Sequence, residues 1–129
     1  NVPFLTKGGD AFRTIEAKTA STYRMKPEDL GKLFTNRGAS ALVTFTLPIT
    51  GDIQVGWWVD VFTAAATEII VASHVTDTMT TFNDLTADSV SFSTVSEIIG
   101  GGWRFVWDGT GWLVMIMAEE TQTMTIVTA

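Results

Sequence analysis

The stretch 100-GGGWRFVWDGTGWLVMIM-117 decides how this chain is read. It carries three of the five tryptophans, Trp103, Trp107 and Trp112, set between glycines. Two β-prone runs flank 108-DGTG-111, and four residues with Asp first and two glycines are good hairpin-loop chemistry. With that loop, Trp107 stands opposite Trp112, Phe105 opposite Val114 and Trp103 opposite Ile116. That is one continuous face of cross-strand apolar pairs. The other face pairs Val106 with Leu113 and Arg104 with Met115, and Met117 continues it. A hairpin with one side in water would show polar residues there. Both faces here are largely apolar. The hairpin is therefore expected at the centre of a sandwich, or with its second face covered by another subunit. A slip of one residue would exchange the faces, so the register is a sharp test.

Working outward, the chain from about residue 19 is rich in Thr, Val and Ile, punctuated by Gly, Asn and Asp. Strands are expected near 19–25, 32–36, 41–47, 55–63, 67–73, 78–82, 89–95, 102–107, 112–118 and 122–128. In 41-ALVTFTLP-48, Val43, Phe45 and Leu47 share one side, and Pro48 closes the run. In 57-WWVDVFTA-64, Trp57, Val59, Val61 and Thr63 alternate with Trp58, Asp60, Phe62 and Ala64. Pro27, Glu28, Asp29 and Gly31 in 26-KPEDLGK-32 mark a single helical turn. The stretch 84-DLTADS-89 is a candidate for one more. Short strands at this spacing predict an all-β chain, an antiparallel β-sandwich or a jelly-roll-like barrel. Residues 1–18, broken by Pro3 and Gly8-Gly9, read as an extended N-terminal arm, and 19–129 as the β-domain.

A length of 129 residues with 46% hydrophobic and 17% charged residues suits one folded domain. No apolar run approaches the roughly eighteen residues of a membrane helix, which points to a soluble chain with no membrane partner. No basic start with an apolar h-region is visible, so no signal peptide is expected. The chain begins at Asn1, which leaves trimming and excision from a longer product equally open. Cysteine is absent, which excludes disulfides, thiol catalysis and Cys-ligated zinc. The formal charge of −6 is uneven: residues 1–26 carry +3 and the remainder −9. An acidic body argues against wrapping nucleic acid, where phosphate neutralisation needs clustered Lys and Arg. The basic arm suits an acidic neighbour, or is a solvated terminus.

No set of residues amounts to an active site, and the chain reads as non-enzymatic, with no catalytic, cofactor-binding or metal-binding residues. His74, the single histidine, has no metal-like acid spacing beside it. Glu28/Asp29 are explained as first-turn helix acids, and Glu119/Glu120 as a solvated turn. Gly100-Gly101-Gly102 lacks the Lys-Ser/Thr and the βα unit of a phosphate loop and reads as a flexible lead into the hairpin. Asp60 stands out, because a carboxylate inside an apolar strand must find partners. Arg104 or Arg37 could supply them across a sheet or subunit boundary. For the tryptophans, core or interface outweighs a sugar platform, and base stacking lacks its basic funnel. The interface candidates are Phe4, Phe12, Arg13, Trp57, Trp58, Trp103, Arg104, Met115 and Met117.

The segment 22-TYRMKPEDLGKLFTNRGASALVTFTLP-48 resembles a small β-domain recurring in tailed-bacteriophage virion proteins. There a strand leads into a turn ending Asp-x-Gly-Lys, then an apolar run, an Asn-x-Gly-Ala turn and a strand finishing in Leu-Pro. Asp29, Gly31, Lys32, Asn36, Gly38, Ala39, Leu47 and Pro48 follow that order. Asp108, Gly109 and Trp112 look like the family's closing Asp-Gly turn and hairpin Trp, so the resemblance spans roughly 22–117. The stretch 49-ITGDIQVGWW-58 departs from it, since family members often have a more Ala/Gly-rich run there. The resemblance implies a virion structural protein, with neither catalysis nor cofactors. The expected role is a capsid decoration (cement) protein, a homotrimer partnered by the major capsid protein or other virion proteins. The alternative is a tail- or head-fibre component, with or without receptor or glycan binding. Either role implies a place in the virion, at the capsid surface or tail, after synthesis in the host cytoplasm.

Overall fold

The computed structural model describes residues 12–119 and 121–128. Its strands are β1 (Ile15–Ala17), β2 (Thr22–Arg24), β3 (Leu33–Thr35), β4 (Val43–Thr46), β5 (Trp58–Phe62) and β6 (Ile69–Ala72). They continue with β7 (Met79–Thr81), β8 (Asp84–Ala87), β9 (Ser89–Ser91), β10 (Gly102–Trp107), β11 (Trp112–Met117) and β12 (Thr125–Val127). Sheet A has the order β1-β3-β5-β10-β11-β7-β8, and sheet B the order β12-β9-β6-β4-β2. The two pack face to face as an open sandwich, with a core formed by residues such as Phe34, Phe45, Val59, Val71, Phe92, Trp103 and Phe105. The all-β sandwich expected from the sequence is therefore the architecture, and it is not closed into a barrel.

The expected antiparallel arrangement is corrected. Five pairings are parallel: β1 with β3, β3 with β5, β2 with β4, β4 with β6, and β11 with β7. The reason lies in the connections. From β1 to β6 the chain crosses between sheets after every strand, so each sheet receives alternate strands running the same way. Only β7–β8 and β10–β11 are neighbours both in sequence and in one sheet, and both pairs are antiparallel.

Other local expectations resolve individually. The β10–β11 register is the one read from the sequence, with Trp107 opposite Trp112 and Trp103 opposite Ile116. The turn at 26–32 is a 3-10 turn over Pro27–Asp29. Asp29 closes it by accepting from the Lys26 amide at 2.9 Å and from the Tyr23 hydroxyl at 2.8 Å. The stretch at 84–89 makes strands, not a helical turn, because β8 pairs with β7 and Ser89 opens β9. Residues 15–17, assigned to the arm, form the parallel edge strand of sheet A. The glycines before the hairpin are a packing device. A Cβ at Gly102 would lie 2.4 Å from the Val61 carbonyl oxygen, and one at Gly101 2.5 Å from the Phe92 ring.

Buried Asn36 ties loop to sheet. Its amide nitrogen donates to the Thr67 carbonyl at 2.9 Å, and its oxygen accepts from the Ala64 and Ala65 amides at 2.8 and 3.0 Å. The crossover from β5 to β6 thus has its backbone groups satisfied at the end of β3.

Candidate functional site

Alternation along β5 divides its side chains between two environments. Trp57, just before the strand, and Val59 and Val61 within it enter the core, while Trp58, Asp60 and Phe62 take the other side. The same division along the hairpin puts Trp103, Phe105, Trp107, Trp112 and Val114 inside. Arg104, Val106, Leu113, Met115 and Met117 are left on the outer face of sheet A.

That outer face is built in rows set by the register. One row runs Ile15, Leu33, Asp60, Arg104, Met115; the next runs Ala17, Thr35, Phe62, Gly102, Met117. Phe62, Leu113, Met115 and Met117 are all more than a third exposed. An open cleft of about 710 Å³ continues the face past Phe62 and Met117, and Glu97, Ile99 and Gln122 line its far side. Sheet B contrasts with this. Its corresponding rows read Thr22, Thr44, Ile70, Ser91, Thr125 and Arg24, Thr46, Ala72, Ser89, Val127. Small hydroxyls dominate there, as expected of a solvated sheet face.

At the centre of the apolar face sits Asp60, its side chain only 4% exposed. Arg104 donates to it through Nε at 2.8 Å and Nη2 at 2.9 Å. Arg13 donates through Nη1 at 2.8 Å and also reaches the Gly31 and Lys32 carbonyls. Both guanidinium groups lie over the Trp58 ring, Arg104 at 4.5 Å and Arg13 at 5.1 Å from its centroid. Burial alone would push the Asp60 carboxyl up. The bonds from Arg104 and Arg13 outweigh it and hold the group below the usual carboxylate range. The cluster carries one net positive charge within an acidic chain.

The sequence candidates fall into three groups. Arg13, Trp58, Arg104, Met115 and Met117 converge on the outer face of sheet A. Trp57 and Trp103 are core residues, 6% and 0% exposed, and offer no ring to a partner or a sugar. The Trp57 Nε1 donates to the Pro27 carbonyl at 2.9 Å, and Trp103 stacks on Phe92. Phe12 is largely exposed, and Phe4 lies outside the described residues. The Asp60–Arg104 pairing was legible as one of two options. Arg13 was not, because 47 residues separate it from Asp60 and no local pattern links them. Phe62 and Leu113 belong to the same face and were missed as candidates, although alternation from Asp60 and Met115 locates both.

Among the described residues, no nucleophile–base pair lines this face. Among the described residues, no group of three or more His, Cys, Asp or Glu is placed to hold a metal ion. Nor is any helix among them long and apolar enough to cross a membrane. What the arrangement can do is bind: apolar area around a fixed, partly desolvated guanidinium pair. No protein-family model matches the chain, and no curated protein matches it in sequence.

Proposed function

We propose that this chain is a non-enzymatic structural protein of a bacteriophage virion, a capsid decoration protein that acts as a homotrimer and stabilises the head by binding coat subunits. The observation that carries the reading is the outer face of sheet A. Exposed methionine, leucine and phenylalanine surround an arginine pair, the residue mix enriched where proteins meet. The resemblance of residues 22–117 to a virion β-domain supplies the setting. The acidic body agrees with a role in which the partner is protein and not nucleic-acid phosphate.

The mechanism is mass action. A protein that binds only the assembled lattice stabilises it in proportion to the logarithm of its free concentration over Kd. The test is cosedimentation of the chain with expanded, undecorated heads of the phage that carries its gene. Saturable occupancy is expected. On this reading the N-terminal arm clamps neighbouring coat subunits, and deletion of residues 1–11, which spares Arg13 and β1, tests that part: unchanged occupancy removes the clamp. Absence of the full chain from the pelleted heads removes the decoration role itself.

A further inference from the structure

We propose that the Phe82–Leu85 turn of one copy seats on the outer face of sheet A of a neighbouring copy, joining copies knob to face in a closed ring. The inference rests on the homotrimeric reading above and names its contact.

The knob is the β7–β8 hairpin at the far edge of sheet A. Thr81 pairs with Asp84, so Phe82 and Asn83 form its two-residue tip. Asn83 takes the left-handed backbone that closes it, with φ 57°. Tips of this kind favour Asn, Gly and Asp. Phe82 satisfies none of that chemistry and is 75% exposed, and Leu85 is 76% exposed. Two large, exposed apolar side chains on one hairpin, with a carboxylate between them, are costly for a solvated edge.

Charge selects the occupant. The face offers apolar side chains around two guanidinium groups that share one carboxylate. Arg104 spends Nε and Nη2 on Asp60, and its Nη1 bonds to none of the described residues. The knob offers apolar side chains around Asp84. One Asp84 oxygen accepts from the Thr86 amide and the other from the Thr128 hydroxyl, leaving each able to accept again. Face against face would bring like charges together. Knob against face pairs opposite charges and covers apolar area on both sides. Because the two patches differ, the contact is directional. Repeated through a rotation of a third of a turn it closes the three-membered ring proposed, and through any other it makes a larger ring or an open filament, which sedimentation reads as mass above three chains.

The experiment is complementation, read by sedimentation equilibrium at several concentrations. The Met115→Glu variant loses the face and keeps the knob. Phe82→Ser loses the knob and keeps the face. Leu113→Glu and Leu85→Ser repeat the test at second positions, and far-UV circular dichroism verifies that each variant is folded. Wild type is expected at about three chain masses, each folded variant alone at about one, and the equimolar mixture of a face variant with a knob variant at about two, because one intact contact remains per pair. A mixture that stays at single-chain mass overturns the contact, as do folded variants that keep the wild-type mass. A wild type that is a single chain at every concentration overturns both the contact and the trimer. A wild type of two chain masses with complementation intact keeps the contact and overturns the trimer. Occupancy of heads by a wild type whose mass the variants do not alter keeps decoration and overturns the contact.

Discussion

Replacing Arg104 with methionine isolates the energetics of the Asp60 cluster. The carboxylate is 4% exposed and accepts three charge-assisted hydrogen bonds, two of them from Arg104 at 2.8 and 2.9 Å. Removing one partner of a fully buried ion pair costs about 3–5 kcal/mol, because the other charge stays desolvated. Arg104 is itself 43% exposed, so water entering the vacated position recovers part of that loss. The cation–π contact with Trp58 adds about 0.5–1 kcal/mol to the loss, and methionine's packing returns a similar amount. The balance is a destabilisation of about 2–3 kcal/mol, or roughly 6–12 °C in Tm for a domain of this length. Urea and thermal unfolding followed by circular dichroism measure it. The double variant Asp60→Leu/Arg104→Met removes the buried charge together with its main partner and should recover most of the loss. A single-variant effect under about 0.5 kcal/mol would show that the pair behaves as an ordinary surface ion pair and refute the reasoning. So would a double variant no more stable than Arg104→Met.

Other consequences are as direct. Gly102→Ala places a Cβ 2.4 Å from the Val61 carbonyl oxygen, so β5 and β10 must separate. A loss of about 1–3 kcal/mol is expected by urea unfolding, and a neutral variant would contradict the close approach. Asn36→Ala leaves the amides of Ala64 and Ala65 without their acceptor and should cost about 2–3 kcal/mol, with faster hydrogen exchange confined to 64–67. Asp29 and Asp60 both sit below the usual carboxylate range: burial pushes each up, and bonds from Lys32, Lys26 and Tyr23 to Asp29, and from Arg104 and Arg13 to Asp60, pull it further down. A carboxylate depressed in the folded state contributes stability present above its unfolded pKa of about 3.9 and lost as pH falls through its folded value. The urea midpoint should therefore fall with pH below about 4, and less steeply in Asp60→Asn. Equal slopes would remove Asp60 from the account.

How much of this was legible in the sequence follows the range of each interaction. The hairpin register follows from a four-residue loop and strict alternation, both local, and the structure has the same pairs. The 3-10 turn at Pro27 is equally local. Alternation in 57-WWVDVF-62 sorted Trp57 from Trp58, but it does not say which side meets the core. That choice depends on sheet B, which lies elsewhere in the chain, and so Trp57 and Trp103 stood among the interface candidates. Parallel pairing was invisible for a related reason. A three-residue strand such as β3 carries no mark of the sheet that its connection will reach. β8 was misread because Asp84, Thr86 and Asp88 are polar turn-formers, and only pairing with β7 makes 84–87 a strand. Arg13 reaches Asp60 through the third dimension alone. At Gly102 the signal was present and read as flexibility, where the structure has close contact.

The central claim is that the outer face of sheet A is covered when the protein is assembled. Methionine oxidation by hydrogen peroxide, resolved residue by residue by mass spectrometry, tests it without altering the chain. Met115 and Met117 are 48% and 41% exposed on the single chain, whereas Met25 and Met79 are buried at 1% and 0% and serve as internal references. Met115 and Met117 should oxidise rapidly at high dilution, and slow toward the rates of Met25 and Met79 as concentration rises or heads are added. Rapid oxidation of both at every concentration and on the heads would contradict the account.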